Sequence, residues 1–462
     1  MSDNASPTTP DAPANPTPSK RRVVLIAVAV VVVLALVVGA IIWAQAPHPP
    51  SEVATPTPTP ASPTASTPTP QPTPTPTMPT PQWSASPSWQ TALSGSDIDQ
   101  FADVTVAPDG SVYAVGFTRS NDQDFAGSHA TSDSKDAMIA KFTTTGQRVW
   151  VKTFGGAGDD DFDAVTVAPD GGIVVSGYTD STDGNLITPS NTGAKTALVA
   201  KISADGDLVW ATSVGDNSWA ELFGVTMAAD GSVYAVGSGL SDNAGGFGAA
   251  AKLTADGKVV WAKTYGTAGV SFWAVAAAPT GGVVVVGDTP AKTGALQSNP
   301  DTPKNQDDGL MVKLAGDGTM SWHKNVPGTY DIQLDSVAVA PDGSFIATAG
   351  GLIVRTDATG KVISQNTATP VTANQISGLA VLPNNDIVMA NVDVPGSKTS
   401  ASVVTLRNDT DLQFTTAENS GVYVFLKSVA TTADGTTAVA VGTLMGSGDY
   451  AQDAFIVSFK IS

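Results

Sequence analysis

The chain has 462 residues, 42% of them apolar and 14% charged, with 23 basic against 42 acidic residues and a formal net charge of −19. That balance opposes binding to nucleic acid, so no nucleic-acid partner is expected. With no cysteine, disulfide staples, thiolate metal sites and a cysteine nucleophile are excluded, and three histidines (His48, His129, His323) are too few for a histidine cluster.

In chain order, residues 1–22 form a short polar segment ending in Lys20, Arg21 and Arg22, read as a disordered cytoplasmic tail. Val23 to Trp43 is an uninterrupted apolar run. As a helix it would rise about 31 Å, enough to span a bilayer core. The basic triplet places the N-terminus inside, so residues 23–43 are expected to be a single-pass signal anchor in the lipid bilayer. Ala44-Gln45-Ala46 has the form of a cleavage site, but the apolar run is longer than that of a signal peptide and Pro47 follows it. Residues 44–87 read as an extracellular Pro/Thr-rich stalk, with 14 prolines in the 35 residues from Pro47 to Pro81. Extended, this tract would reach on the order of 100 Å.

Residues 88–462 are a repeat. Pro108-Asp109-Gly110 recurs as Pro169-Asp170-Gly171, Ala229-Asp230-Gly231, Pro279-Thr280-Gly281 and Pro341-Asp342-Gly343, with weaker copies at Pro383-Asn384-Asn385 and Ala433-Asp434-Gly435. From Asp109 to Asp434 is 325 residues, a mean period of about 54. Each copy sits between alternating apolar runs, as a hairpin turn should. A third strand (136–142, 197–202, 249–253, 309–314) then leads through a Gly-containing turn to a fourth bearing Trp150, Trp210, Trp261 or Trp322. Four strands seven times predicts an all-β, seven-bladed β-propeller. The final repeat stops after a third strand, while Trp89–Leu93 matches a fourth. The N-terminal strand is therefore expected to close blade seven.

The pattern in DAMIAKFTTTGQRVWVKTFGG, residues 136–156, resembles the bacterial β-propeller repeat family of SBBP type. The resemblance covers roughly residues 89–462. It departs after residue 350, where Ser364 stands in place of the tryptophan and blades six and seven lack the Lys and Trp signature. It implies a secreted or surface propeller and no single activity.

Strand order puts the Pro-Asp-Gly and Asp-Gly turns on one face, the bottom, where the stalk would enter. The longer connections, about 118–135, 178–195, 238–247 and 288–308, lie on the top. Aligning the repeats isolates one variable position, seven residues before each turn Asp: Ala102, Asp163, Phe223, Trp273, Asp335, Ser377 and Lys427. The positions five and eight residues before the turn are uniformly apolar. The candidate ligand-binding residues are therefore Asp163, Phe223, Trp273, Asp335 and Lys427, around the channel mouth. Plugging or packing there is the competing reading.

The residues point to a cell-surface binding protein for an envelope glycan or extracellular protein, not an enzyme. An envelope scaffold using blade sides or stalk is one alternative. A hydrolase or lyase using Asp163 and Asp335 is another. Calcium is the one cofactor in view, with weak candidate ligands Asp122, Asp124, Asp159, Asp160, Asp161, Asp180 and Asp183 in oxygen-rich top loops.

Overall fold

Runs such as Val283–Val286 are apolar at every position because both faces of each sheet are buried, one against each neighbouring blade. In blade one, Tyr113 and Val115 pack toward blade two, whereas Val112 and Ala114 pack toward blade seven. Seven hydrophobic clusters result, one for each blade interface. Burial of each large aliphatic or aromatic side chain in them contributes roughly 1.5–3 kcal/mol.

The computed structural model describes residues 87–461 apart from position 132 and the stretches 189–191, 216–218, 242–244, 267–268, 291–294, 298–305, 328–330, 368–375, 394–399, 408–410, 418–421 and 447–451. The expected tail (1–22), membrane helix (23–43) and nearly all of the stalk (44–87) lie outside the described residues. No helix among the described residues is long and apolar enough to cross a membrane.

The described strands form seven four-stranded antiparallel sheets, each built from consecutive strands except the last. In that blade Trp89–Leu93 pairs with Gln452–Lys460, from Trp89↔Ser458 to Leu93↔Ala454. The seven-bladed propeller closed by an N-terminal strand is thus observed. One expected loop is corrected. The 238–247 connection of blade three is mostly strand, because Val233–Ser241 and Gly245–Leu253 stay in register out to Ser241↔Gly245. Each of the last four pairs of that ladder contains a glycine: Ser238↔Gly248, Gly239↔Phe247, Leu240↔Gly246 and Ser241↔Gly245.

The tryptophans join successive blades. Trp89 Nε1 donates to Thr144 O (2.9 Å) in the bottom turn of blade one, and Trp261 Nε1 to Gly316 O (3.0 Å) in that of blade four. Trp210 and Trp322 do the same to Ala255 and Ala358 of the blade that follows each. Each receiving turn holds a glycine under the indole. A Cβ at Gly146, Gly257, Gly318 or Gly360 would lie 2.5–3.1 Å from the ring. Trp and Gly are lost together in the sequence: Ser364 replaces the tryptophan of blade five, and the segment that follows the third strand of blade six, Asn408-Asp409-Thr410, has no glycine.

Under the bottom face, the third-strand cation meets the Pro-Asp-Gly carboxylate of its own blade. Lys201 pairs with Asp170, Lys252 Nζ with Asp230 Oδ2 (3.8 Å) and Arg355 Nη1 with Asp342 Oδ2 (3.4 Å). Blade four has Thr280 at the carboxylate position, and Lys313, 6% exposed, donates instead to Gly281 O (2.5 Å) and Leu314 O (3.2 Å). Burial holds its amine below the usual lysine range. Thr280→Asp is therefore expected to stabilise the fold by about 1 kcal/mol, as a partly buried charge-assisted pair does. Thermal denaturation checks this, and unchanged stability would mean that Lys313 cannot swing to the turn.

Candidate functional site

The seven first strands, from Asp99–Val106 in blade one to Val422–Thr431 in blade seven, line a central cavity of about 270 Å³. All five candidate residues face it: Asp163, Phe223, Trp273, Asp335 and Lys427. They arrive there by a shared local device. In blade two Phe162 pairs with Gly177 and Ala164 with Ser176, so Asp163 is an extra residue with no partner across the ladder. Ala102, Phe223, Trp273 and Lys427 are the extra residues of the same β-bulge in blades one, three, four and seven. A bulge breaks the two-residue alternation, so its extra side chain turns to the axis while its neighbours keep facing adjacent blades. Phe162 and Ala164 do belong to different interface clusters.

The bulge needs glycine opposite. A Cβ at Gly116, Gly177, Gly237, Gly287 or Gly442 would fall 1.8–2.0 Å from the backbone oxygen of Gln100, Asp161, Glu221, Ser271 or Phe425. Where the glycine is missing, the device changes. Blade five has Ala349 at that position and no bulge; Asp335 sits just before the strand, held by its N–H on Thr348 O (3.0 Å). Blade six has Asn391, and its extra residue is Gly378 at φ +79° in place of Ser377. Asp103 then ties the ring together. Its carboxylate accepts from Val104 N (2.8 Å), from Val165 N of blade two (2.8 Å) and from Ser428 Oγ of blade seven (2.6 Å).

The cavity is chemically divided. Phe223 and Trp273 stack with centroids 4.5 Å apart and planes at 32°. The Trp273 indole N–H donates to Asp288, whose carboxyl burial pushes up to about 6. Burial raises Asp335 to about 7. Asp163 is also raised, by burial first and then by the negative charges of Asp161 and Glu221, and its Oδ2 is buried with no hydrogen-bond partner. Lys427 Nζ donates to Gln100 Oε1 (2.6 Å), and desolvation pulls its amine down.

Behind Asp163 stands an ionic network that sequence reasoning missed. Lys135 Nζ meets Asp161 Oδ2 at 2.5 Å, and Lys195 Nζ meets Glu221 Oε2 at 2.5 Å while lying 3.6 Å from the Tyr178 ring centroid. Lys135 and Lys195 each precede a third strand and could have been found by aligning the repeats. Asp161 and Glu221 occupy one repeat position, nine residues before the turn Asp.

Five of the weak calcium candidates serve backbone N–H groups and two pair with cations, so they do not converge. Asp122 accepts from Ser96 N (2.9 Å) and Asp183 from Ala157 N (2.7 Å); Asp180 accepts from Asp159 N. Asp159 accepts from Lys135 N (3.1 Å), and Asp124 pairs with Arg148. Asp160 takes Gly156 N (3.1 Å) and Ser181 Oγ (2.7 Å), and Asp161 takes Lys135. Among the described residues no three metal-ligating side chains form a group.

No family model matches the sequence, and no curated protein does. The SBBP resemblance therefore rests on the repeat pattern alone. Solved structures do match. A streptogramin B lyase is 14% identical, with a TM-score of 0.50 over 81% of this chain and 98% of that one. A catalytically inactive virginiamycin B lyase from Staphylococcus aureus, with quinupristin, is 12% identical, with a TM-score of 0.50 over 80% and 99%. At these identities the likeness shows the fold alone. It nonetheless corrects the expectation of a non-enzyme, since propellers of this architecture include lyases. Scarce histidine was too narrow a ground, because a channel lined from every blade can arrange carboxylates for chemistry as well as for binding.

Two outcomes follow from the geometry. Gly177→Ala is expected to destabilise the protein by at least about 2 kcal/mol, because the new Cβ must displace the Asp161 carbonyl. Unchanged stability in chemical denaturation would show that the bulge does not need glycine. For Asp335 the folded pKa, about 7, lies above the reference 3.8, so the folded state holds more protons between those values and stability falls as pH rises through them. Asp335→Asn should therefore raise the melting temperature at pH 8 and leave it unchanged near pH 4.

Proposed function

We propose that this propeller is a cell-surface recognition module, anchored through residues 23–43, that binds an envelope or extracellular glycan or protein in its central channel. One observation carries the reading. Five side chains of four kinds (two Asp, Phe, Trp and Lys), from five blades, are turned into one cavity, four of them by bulges that face glycine. A channel that only needed filling would be served by apolar residues in register with their strands. Desolvating carboxylates that have no ion-pair partner among the described residues costs stability, which argues for a role beyond packing.

The orientation supports it. Trp89 opens the closing strand at the bottom, where its indole caps the Thr144 turn, so the described propeller begins on that face and leaves the opposite opening clear, as suits a surface module. The likeness to SBBP-type surface propellers agrees with such a placement.

A second reading is favoured by Asp335. A carboxyl pushed up to about 7 is matched to proton transfer near neutral pH, and the lyases of like fold make a lyase at the same cavity the enzymatic alternative. The inactive neighbour was made so by replacing a histidine. Here His129 lies beside Asp136 in a top loop (3.8 Å) and His323 is on an outer strand, so carboxylates or Lys427 would have to do the work.

Trp273→Ala is the test, in a glycan and extracellular-protein binding screen with the full chain. Recognition in the channel predicts at least a tenfold loss of affinity with the melting temperature kept. Undiminished binding would move the interaction to the blade sides or stalk. Turnover of the captured ligand, abolished by Asp335→Asn while binding survives, would establish the lyase reading.

A further inference from the structure

The order of side chains around the cavity says more about what it takes, granted that it is a recognition site. Passing from blade two to blade five, the inward residues are carboxylate, aromatic, aromatic, carboxylate: Asp163, Phe223, Trp273 and Asp335. The facing arc offers Ala102, the backbone at Gly378, and Lys427. We propose that the channel selects ligands bearing an alkylammonium group, seated against the Phe223–Trp273 wall between Asp163 and Asp335.

Three observations converge on this. The stacked Phe223–Trp273 pair makes a fixed aromatic wall, its indole N–H already engaged by Asp288, and aromatic faces attract cations, tryptophan most strongly. The buried Oδ2 of Asp163 lacks a donor, and an ammonium N–H would supply one. The charge around the cavity is unbalanced toward the acids. Lys135 and Lys195 are paired with Asp161 and Glu221 and Lys427 is held by Gln100, so these lysines act on Asp163 only at longer range, and among the described residues none forms an ion pair with Asp163 or Asp335. Of the three lining carboxylates only Asp103 is saturated, by two backbone N–H groups and Ser428.

Other chemistries fit less well. A neutral sugar could stack on the aromatic wall but would leave the repulsion among Asp161, Asp163 and Glu221 unrelieved. An anion would add to it. A cation relieves it and also draws both carboxyls toward their ionised form, so binding should strengthen as pH rises through the Asp335 value of about 7.

The test uses near-isosteric probes on the full chain: butylammonium, butan-1-ol and butyrate. The Trp273 indole resonance, assigned through Trp273→Phe, reports occupancy of the cavity. Butylammonium is expected to shift it at a concentration at least tenfold below that of butan-1-ol at pH 8, with this preference shrinking severalfold at pH 5.5. The Asp163→Asn/Asp335→Asn variant should lose the preference while retaining the response to butan-1-ol. That readout still works if the two replacements change stability. Equal response to butylammonium and butan-1-ol, or preference for butyrate, overturns the ammonium assignment and leaves a recognition cavity of other specificity. No response to any probe, with the resonance assigned, overturns both.

Discussion

One backbone irregularity decides what the centre of this molecule can do. A propeller blade in perfect alternation would send every first-strand side chain into one of its two interfaces, and the axis would see only backbone and small groups. The extra residue at Ala102, Asp163, Phe223, Trp273 or Lys427 breaks the alternation, and the glycine opposite it leaves room for the displaced carbonyl. Interface packing and cavity chemistry are thereby separated. Phe162 and Ala164 can be fixed by their apolar neighbours while Asp163, between them, is free to be polar.

The ring around that cavity is held by contacts that each blade makes to the next. Apolar clusters fill every interface, indoles cap the bottom turn of the following blade, and Asp103 reaches into both of its neighbours near the axis. Such nearest-neighbour coupling makes closure by Trp89–Leu93 necessary, because an open seventh blade would expose a strand edge and its apolar face. The absence of cysteine costs the fold little when burial and hydrogen bonding are so repetitive.

Charge is scarce in this chain, and its placement is uneven. On the bottom face, cation and turn carboxylate pair within a blade at the surface, where such pairs contribute modestly. Near the axis, Asp161, Asp163 and Glu221 repel one another while Asp335 lines the same cavity, among the described residues the ion pairs reach only Asp161 and Glu221, and low solvent access magnifies the imbalance. A rigid scaffold can hold such a cluster because dozens of buried apolar contacts outweigh it. Unbalanced, preorganised charge of this kind is what recognition or catalysis requires.

Fold and blade count were legible in the sequence because turn chemistry is local: Pro-Asp-Gly forces a hairpin wherever it falls, and its spacing counts the blades. The candidate residues were legible for a related reason. Seven copies of one environment make a position that varies, Ala102 through Lys427, stand out against positions that stay apolar in every repeat. Their common cavity, however, depends on a bulge and on the glycine seven or eight residues past the turn, which alignment shows only as a recurring Gly, usually after Val. The pairing of Lys135 with Asp161 and Lys195 with Glu221 joins residues 26 apart on different blades. The sequence alone determined which side chains are exceptional. Only the closed ring decided which of them meet, because distance across the axis is set by seven blades together and by no segment of the chain.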